Sequence, residues 1–346
     1  MVYLRFDRRR ILCKTCGALR QEAMSWLSEN PFYTKRFALY VGQRCREQSI
    51  KSVAAELSLD WKTVKELEKE YMREQLAQAG DPTPHVIGPD EISVKQGHEY
   101  RIIVSDLEAR RVIWFGGKDR SQESMDEFYK WLGEAKCAGI RLIVMDMWKA
   151  FRNSAETHAP WADILYDKFH VIRHLNDAMD EIRRQEMRRL TGNRKKWVKG
   201  QRYTLLSNKD NLDFDGRKSL KELFRRNRRL FRAYLLKESF DQLWDYTYPA
   251  SARKFFEHWR DSLRWQRLKP YVDFAEMVDK HWDGIVSHCK IENKGCLGFV
   301  EGVNNKIRQI QRRAYGLRDE EYFRLKVLTC MLPALEIPKN HAKLPT

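Results

Sequence analysis

Three acids stand out by the residues around them. Asp90 lies within "VIGPDEISV", Asp146 follows four apolar residues in "LIVMDMW", and Glu301 heads "EGVNNKIRQIQRR". Asp146 is hard to place on a surface, because the apolar run before it reads as a buried strand. Carboxylates gathered at one spot lose water and repel one another, a cost that a pair of Mg²⁺ ions removes through oxygen ligation. Two such ions, roughly 3.5–4 Å apart, activate an attacking oxygen and stabilise a leaving one in phosphoryl transfer. Plainer roles stand beside this one. Asp90 follows a proline and reads equally as a strand-edge acid, and Glu301 as a helix N-terminal acid favoured by the dipole. Glu91 points to the opposite face of a regular strand, and Asp106, at the end of a second strand, reads as a turn residue with Glu108.

The flanking pattern says what positions these acids. Val86 to Val94, Tyr100 to Ser105 and Arg111 to Phe115 read as three short strands with tight connections. A helix, "SMDEFYKWLGEAKCAGI", leads to a fourth strand at "RLIVMDMW", and after a helical stretch "ADILYDKFHV" reads as a fifth strand passing into a helix. A three-strand meander followed by helix, strand, helix, strand is the order of a ribonuclease-H-like α/β core. Its first and fourth strands are neighbours and its last helix crosses them, so Asp90, Asp146 and Glu301 converge although far apart in the chain. In that last helix Phe299, Val303, Ile307 and Ile310 form an apolar face. Glu301, Asn305, Arg308 and Arg312 form a polar one, suited to a metal ion at the acid and a phosphate backbone along the helix.

Residues 176–290 interrupt the core with a helical, densely basic insertion, expected to stand apart from the sheet. Trp197, Tyr203 and Trp265 interleave with its charges; they suit stacking on unpaired bases or the core of a helical bundle. Upstream, residues 21–78 are helical. "SIKSVAAELSLDWKTVKELEKEYM" holds a helix from Ile50 to Leu57, a turn, and a second helix from Trp61 capped by Asp60, the layout of a DNA-binding helix-turn-helix. Its outer face would offer Trp61, Lys62, Thr63, Lys65 and Glu66. "AQAGDPTPHVIGPD" is a Gly/Pro-rich linker between this part and the core. Residues 1–20 contain an exposed strand and then Cys13 and Cys16, half of a zinc ribbon. Tetrahedral zinc needs four ligands and no second CxxC lies nearby, so reduced cysteines in a ribbon remnant are expected rather than bound zinc. The division expected is 1–20, 21–78, 85–175, 176–290 and 291–346, the last carrying the core's closing helix and tail.

Composition fits a polyanionic partner. The 346 residues hold 65 Lys and Arg against 48 Asp and Glu, a net charge of +17, and such cations gain affinity by displacing counterions from phosphates. A solvated, highly charged surface has the same composition. No run of about eighteen apolar residues offers a membrane span, the N-terminus lacks a secretory h-region, and seven irregularly spaced cysteines suit a reducing, cytoplasmic setting.

"IGPDEISVKQGHEYRIIVSDLEARRVIW", "VMDMWKAFRNS", "YDKFHVIRHLN" and "GFVEGVNNKIRQIQRRAYGLRDEEYFRLKVL" resemble the signature blocks of the ISL-three family of insertion-sequence transposases, over about Val86 to Leu328. The resemblance implies a ribonuclease-H-like domain with an Asp-Asp-Glu triad on Asp90, Asp146 and Glu301, two Mg²⁺ (or Mn²⁺) ions, and double-stranded DNA as partner: terminal inverted repeats and target. It draws Asp167 and His170 in as accessory residues, Asp167 as an outer-shell group of the metal and His170 to touch phosphate or orient a carboxylate, or both merely to pack or cap the following helix. With the triad so placed, Asn305, Arg308, Arg312 and Arg313 are expected to contact the DNA backbone near the cut. Pairing two element ends implies at least a homodimer on DNA. Family members begin with two CxxC pairs, whereas this chain shows one, as if starting midway through the ribbon. The expected function is transposition in a bacterial or archaeal cytoplasm, at the nucleoid. The alternatives are a shortened copy that only binds DNA as a repressor, or a ribonuclease-H-like nuclease.

Overall fold

The computed structural model describes residues 4–22, 24–95, 99–290, 292–293, 298–313 and 319–337. The chain begins with a small hairpin, β1 (Arg10–Leu12) and β2 (Leu19–Gln21), shorter than the strand expected over residues 2–12. Helices α1 (Lys35–Glu47), α2 (Ile50–Leu57) and α3 (Trp61–Ala79) follow. Next come β3 (Val86–Lys95), β4 (Glu99–Asp106), β5 (Arg111–Gly116), α4 (Gln122–Leu132), α5 (Glu134–Cys137), β6 (Leu142–Met145), α6 (Lys149–His158) and β7 (Asp163–Tyr166). A helical series completes the chain: α7 (Lys168–Arg188), α8 (Gly192–Gly200), α9 (Arg202–Leu206), α10 (Phe214–Arg226), α11 (Arg228–Phe240), α12 (Pro249–Ser262), α13 (Lys269–Lys280), α14 (Trp282–Val286), α15 (Phe299–Arg313) and α16 (Glu320–Thr329). The helix starts are written locally. Thr34, Ser49, Asp60, Ser121, Asp167, Asp213 and Asp319 each accept a first-turn N–H from their own helix, satisfying donors that otherwise have no partner.

Two compact units result: residues 82–306, and residues 1–81 together with 307–346. In the first, five strands run in the order β5-β4-β3-β6-β7. β3, β4 and β5 form an antiparallel meander, and β6 and β7 run parallel to β3. The strands are buried on both faces, hence their nearly continuous apolar runs. One face (Ile87, Ile102, Val104, Ile143, Met145) packs on Met125, Phe128 and Tyr129 of α4. The other (Val86, Leu107, Leu142, Val144, Leu165) packs on Phe299 and Val300 of α15. The insertion does not stand apart from the sheet, contrary to expectation. Its apolar residues, from Met179 and Ile182 through Phe256, Tyr271 and Ile285, continue the core of the α4 face. α7 starts at the end of β7 and carries that core outward, and Gly284 comes so close to Tyr166 that a Cβ there would lie 2.5 Å from the ring.

In the second unit Ala38, Val41, Cys45, Val53, Val64 and Leu67 form the core of α1, α2 and α3. Gly42 lets Tyr71 close against α1; a Cβ at 42 would sit 2.1 Å from Tyr71 Cγ. The end of the chain belongs here too, rather than with the sheet as the sequence pattern suggested. Tyr322, Leu325 and Leu335 bury against Tyr71 and Met72. Arg46 donates to Leu332 O at 2.8 Å and Gln75 to Pro333 O at 2.6 Å. Under this seam lies Glu68, 1% exposed, which accepts from the Tyr322 hydroxyl at 2.5 Å and from the Lys326 ammonium. Among the described residues no helix is long and apolar enough to cross a membrane.

Candidate active site

β3 and β6 align Val86 with Leu142 and Ile87 with Ile143, a constant offset of 56 residues. The same offset places Asp146 beside Asp90, just where β6 ends. Both share side-chain parity with Val86, Gly88, Leu142 and Val144, so both fall on the α15 face of the sheet. Gly88 is what lets α15 approach: a Cβ there would lie 2.8 Å from Val300 Cγ2. One turn further along α15, Asn304 Nδ2 donates to Asp90 Oδ2, while the Glu91 N–H donates to Asp90 Oδ1 at 2.7 Å. The Trp148 N–H donates to Asp146 Oδ1 at 3.1 Å, a turn that fixes the carboxylate as the chain leaves the sheet.

The two carboxylates are poised against their own charge. Burial pushes both above the usual carboxylate range. The neighbouring Asp146 charge adds to this at Asp90, and Glu91 adds to it at Asp146. His170 works the other way. Its Nδ1 lies 3.3 Å from Asp167 Oδ2, and that contact, with the charges of Asp146 and Asp90, raises the imidazole above its ordinary value. Asp167 also caps α7 through the Phe169 N–H at 3.0 Å, so one carboxylate serves both the helix start and His170. Asp106 is a turn residue as expected, accepting from the Glu108 and Ala109 N–H groups.

Glu301 is placed differently from the two aspartates. It lies one turn before Asn304 on α15, with an exposed side chain. Among the described residues no three His, Cys, Asp or Glu side chains are close enough together to hold a metal ion. The structure thus pairs Asp90 with Asp146 and leaves Glu301 nearby on the overlying helix. The donor set suits a hard divalent cation: two crowded, partly buried carboxylates, and the Asn304 Oδ1, a buried oxygen with no hydrogen-bond partner.

Two contributors were missed in the sequence. Asn304 lies beside the chosen Asn305, and only the phase of the helix tells which one meets Asp90. Arg120 comes from the turn before α4; it pairs with Glu91 at 3.1 Å, lies 4.4 Å from the Trp148 ring centroid, and its charge offsets part of the rise at the Asp146 carboxyl. No spacing signal marks it.

The proposed DNA contacts divide. Trp61 and Lys62 are exposed at the head of α3, with Thr63 half-buried beside them. Lys65 instead turns inward, 2.5 Å from Asp319 and over the Tyr322 ring, because the α16 cap supplies an anion there. Asn305, Arg308 and Arg312 line the exposed face of α15, whereas Arg313 donates to the Arg46 and Glu47 carbonyls at the end of α1. Cys13 and Cys16 sit in the β1–β2 turn, where the N–H groups of Cys16 and Thr15 lower the Cys13 thiol to about 7.

Residues 87–327, more than half the chain, match the family model described as a transposase of the DDE type, ISL3 family. Residues 22–72 match the helix-turn-helix domain of transposase family ISL3. The transposase for insertion sequence element IS1001 of Bordetella parapertussis is 33% identical over 329 residues, 94% of this chain and 80% of that one. The transposase for insertion sequence element IS1557 of Mycobacterium tuberculosis is 26% identical over 280 residues, 74% of this chain and 62% of that one. A helix-turn-helix domain followed by a catalytic domain on a mixed sheet is thus matched along nearly the whole length, and the chain belongs to the ISL3 family of DNA transposases.

Proposed function

We propose that this transposase cuts DNA at the terminal inverted repeats of its own element and joins the freed 3′-OH ends to target DNA, with Asp90, Asp146 and Glu301 as the acids of a ribonuclease-H-like active site. The parallel β3–β6 register, which sets Asp90 beside Asp146 under α15, is the observation that carries this reading. The strand order, an antiparallel meander flanked by two parallel strands, supports the ribonuclease-H-like comparison. Asp90, Asp146 and Glu301 would hold two Mg²⁺ or Mn²⁺ ions, which supply Lewis acidity toward the phosphodiester and an activated water or hydroxyl.

The protein's own part is placement. Asn304 holds the Asp90 carboxylate in one rotamer, and the Trp148 N–H does the same for Asp146. His170, whose imidazole the Asp167 contact raises above its ordinary value, offsets the repulsion between the two acids when protonated. Glu301 is carried on α15 about 4.5 Å along the axis from Asn304, where closing on DNA would bring its carboxylate to the pair. Asn305, Arg308 and Arg312 would then follow the phosphate backbone, while Trp61, Lys62 and Thr63 read sequence at the element end. Two protomers, one for each element end, would act together.

The test is cleavage of a labelled duplex bearing the element's terminal repeat with Mg²⁺ or Mn²⁺, comparing the native chain with Glu301→Gln. Nicking by the native chain, lost in the variant with binding retained, supports the triad. Equal nicking by both proteins removes Glu301 from it, and tight binding without nicking by either points to a DNA-binding protein alone.

A further inference from the structure

The insertion holds 27 Lys and Arg against 17 Asp and Glu over residues 176–290, ten of the chain's seventeen net positive charges. They are not spread evenly. From Met187 to Lys209 there are eight cations and no acid. α8 occupies the middle of this stretch. It buries Val198 and half-buries Trp197, and the opposite side presents Lys195, Lys196 and Lys199, with Arg194 exposed in the first turn. None of these four pairs with an acid among the described residues. Some other exposed cations of the insertion do pair, as Arg184 does with Asp180, Arg226 with Glu222 and Lys269 with Asp273, so what sets the α8 stretch apart is its run of cations with no acid.

An exposed aromatic residue follows this row in the chain. α9 begins two residues after α8, and its Tyr203 is 75% exposed, with the Arg202 guanidinium 5.8 Å from the ring centroid. Trp197 is half-buried beneath Arg226, at 5.6 Å. A core role therefore accounts for Trp197 and not for Tyr203. A tyrosine that is open to solvent, flanked by a guanidinium and next to a helix face of unpaired cations offers two things together. Lysines and arginines attract a phosphate backbone, and a free ring offers a surface on which a base stacks, which only an unpaired base can use.

We propose that the α8–α9 face is a second DNA-binding surface, which holds a strand with an unpaired base through phosphate contacts of Arg194, Lys195, Lys196 and Lys199 and stacking on Tyr203. It is separate from the helix-turn-helix and independent of the assignment of the acidic site. α8 is about 13 Å long, enough to follow a few phosphates.

The experiment is fluorescence anisotropy with the full chain in EDTA, across a salt series, using a labelled oligothymidylate and a blunt duplex of unrelated sequence. Tyr203→Ala should weaken oligothymidylate binding about tenfold and leave duplex binding within about twofold, while Tyr203→Phe should retain native affinity. Tyr248→Ala is the control: the residue is 73% exposed but has no cation beside it in the chain, and both affinities should stay unchanged. Replacing Lys195, Lys196 and Lys199 together by Gln should flatten the log–log salt dependence of oligothymidylate binding by about 2. The proposal is overturned if Tyr203→Ala binds oligothymidylate like the native chain, if it loses duplex binding equally, or if the triple variant keeps the native salt slope. Because no metal is present, an error in the roles of Asp90, Asp146 or Glu301 leaves these outcomes unchanged.

Discussion

Replacing Lys326 by Met should loosen the DNA-binding unit through its core. Glu68 is 1% exposed, and its carboxylate accepts from the Tyr322 hydroxyl and the Lys326 ammonium, with the Cys45 thiol beside it. Lys326→Met leaves a buried carboxylate with neutral partners alone, and stranding a buried charge in this way costs about 3–5 kcal/mol. That is comparable to the lower end of the roughly 5–15 kcal/mol that stabilises a domain. At 1.36 kcal/mol per decade, hydrogen-exchange protection of the α3 amides should fall by about 10²-fold or more. Peptide-resolved exchange reads α3 directly and avoids assuming two-state unfolding of a two-unit chain. Combining Glu68→Gln with Lys326→Met removes both charges and should recover most of the loss, giving a coupling of about 2–3 kcal/mol. A fall of less than tenfold for Lys326→Met, or no recovery in the double variant, would refute the reasoning.

The acidic pair gives a second expectation. Asp90 and Asp146 titrate above their usual range in the folded, metal-free protein, so between the unfolded and folded values the native state holds more protons and stability falls as pH rises. His170, raised, adds stability that is full below its unfolded value and is lost as pH rises through the folded one. The contribution of these three groups should therefore decline with pH from about 4 upward, so in EDTA the stability difference between the native chain and Asp146→Asn should shift against the native chain as pH rises, while the variant loses nicking. Mg²⁺ at a hundredfold excess over its dissociation constant should stabilise the native chain by about 2.7 kcal/mol and leave Asp146→Asn nearly unaffected. Gly42→Ala should cost about 1–3 kcal/mol in urea titration by forcing Tyr71 off α1; no change would mean that the ring moves freely.

The sheet and the placement of Asp90 and Asp146 were legible because both depend on local signals. Apolar runs mark buried strands, turn residues separate them, and parallel neighbours put acids at matching depth side by side. The helix-turn-helix was legible for the same reason, through Asp60 and the apolar periods around it. Asn304 was not, since adjacent helical residues point about 100° apart and only the packing of Val300 against Gly88 sets which one reaches the sheet. Lys65 was misplaced because its partner, Asp319, lies 254 residues later. α16 is buried on several sides, at Tyr322, Phe323, Leu325, Val327 and Leu328, so its period names no single face and no partner. The insertion read as independent because its charges dominate the sequence, while its continuity with the sheet is carried by scattered residues such as Tyr166 and Gly284.

The seam between α3 and α16 also sets an order of events during synthesis. Glu68 is translated early, and Tyr322, which caps its carboxylate, comes 254 residues later. At about 5–20 residues per second, roughly 13–50 s separate them. During that interval the emerging helix-turn-helix has a charged, unfilled side where Tyr322, Lys326 and Leu335 will dock. A ribosome that stops short of residue 320 would release a DNA reader with that gap still open. Closure of the helix-turn-helix unit is thereby tied to synthesis through α16, about 250 residues after its own helices are made.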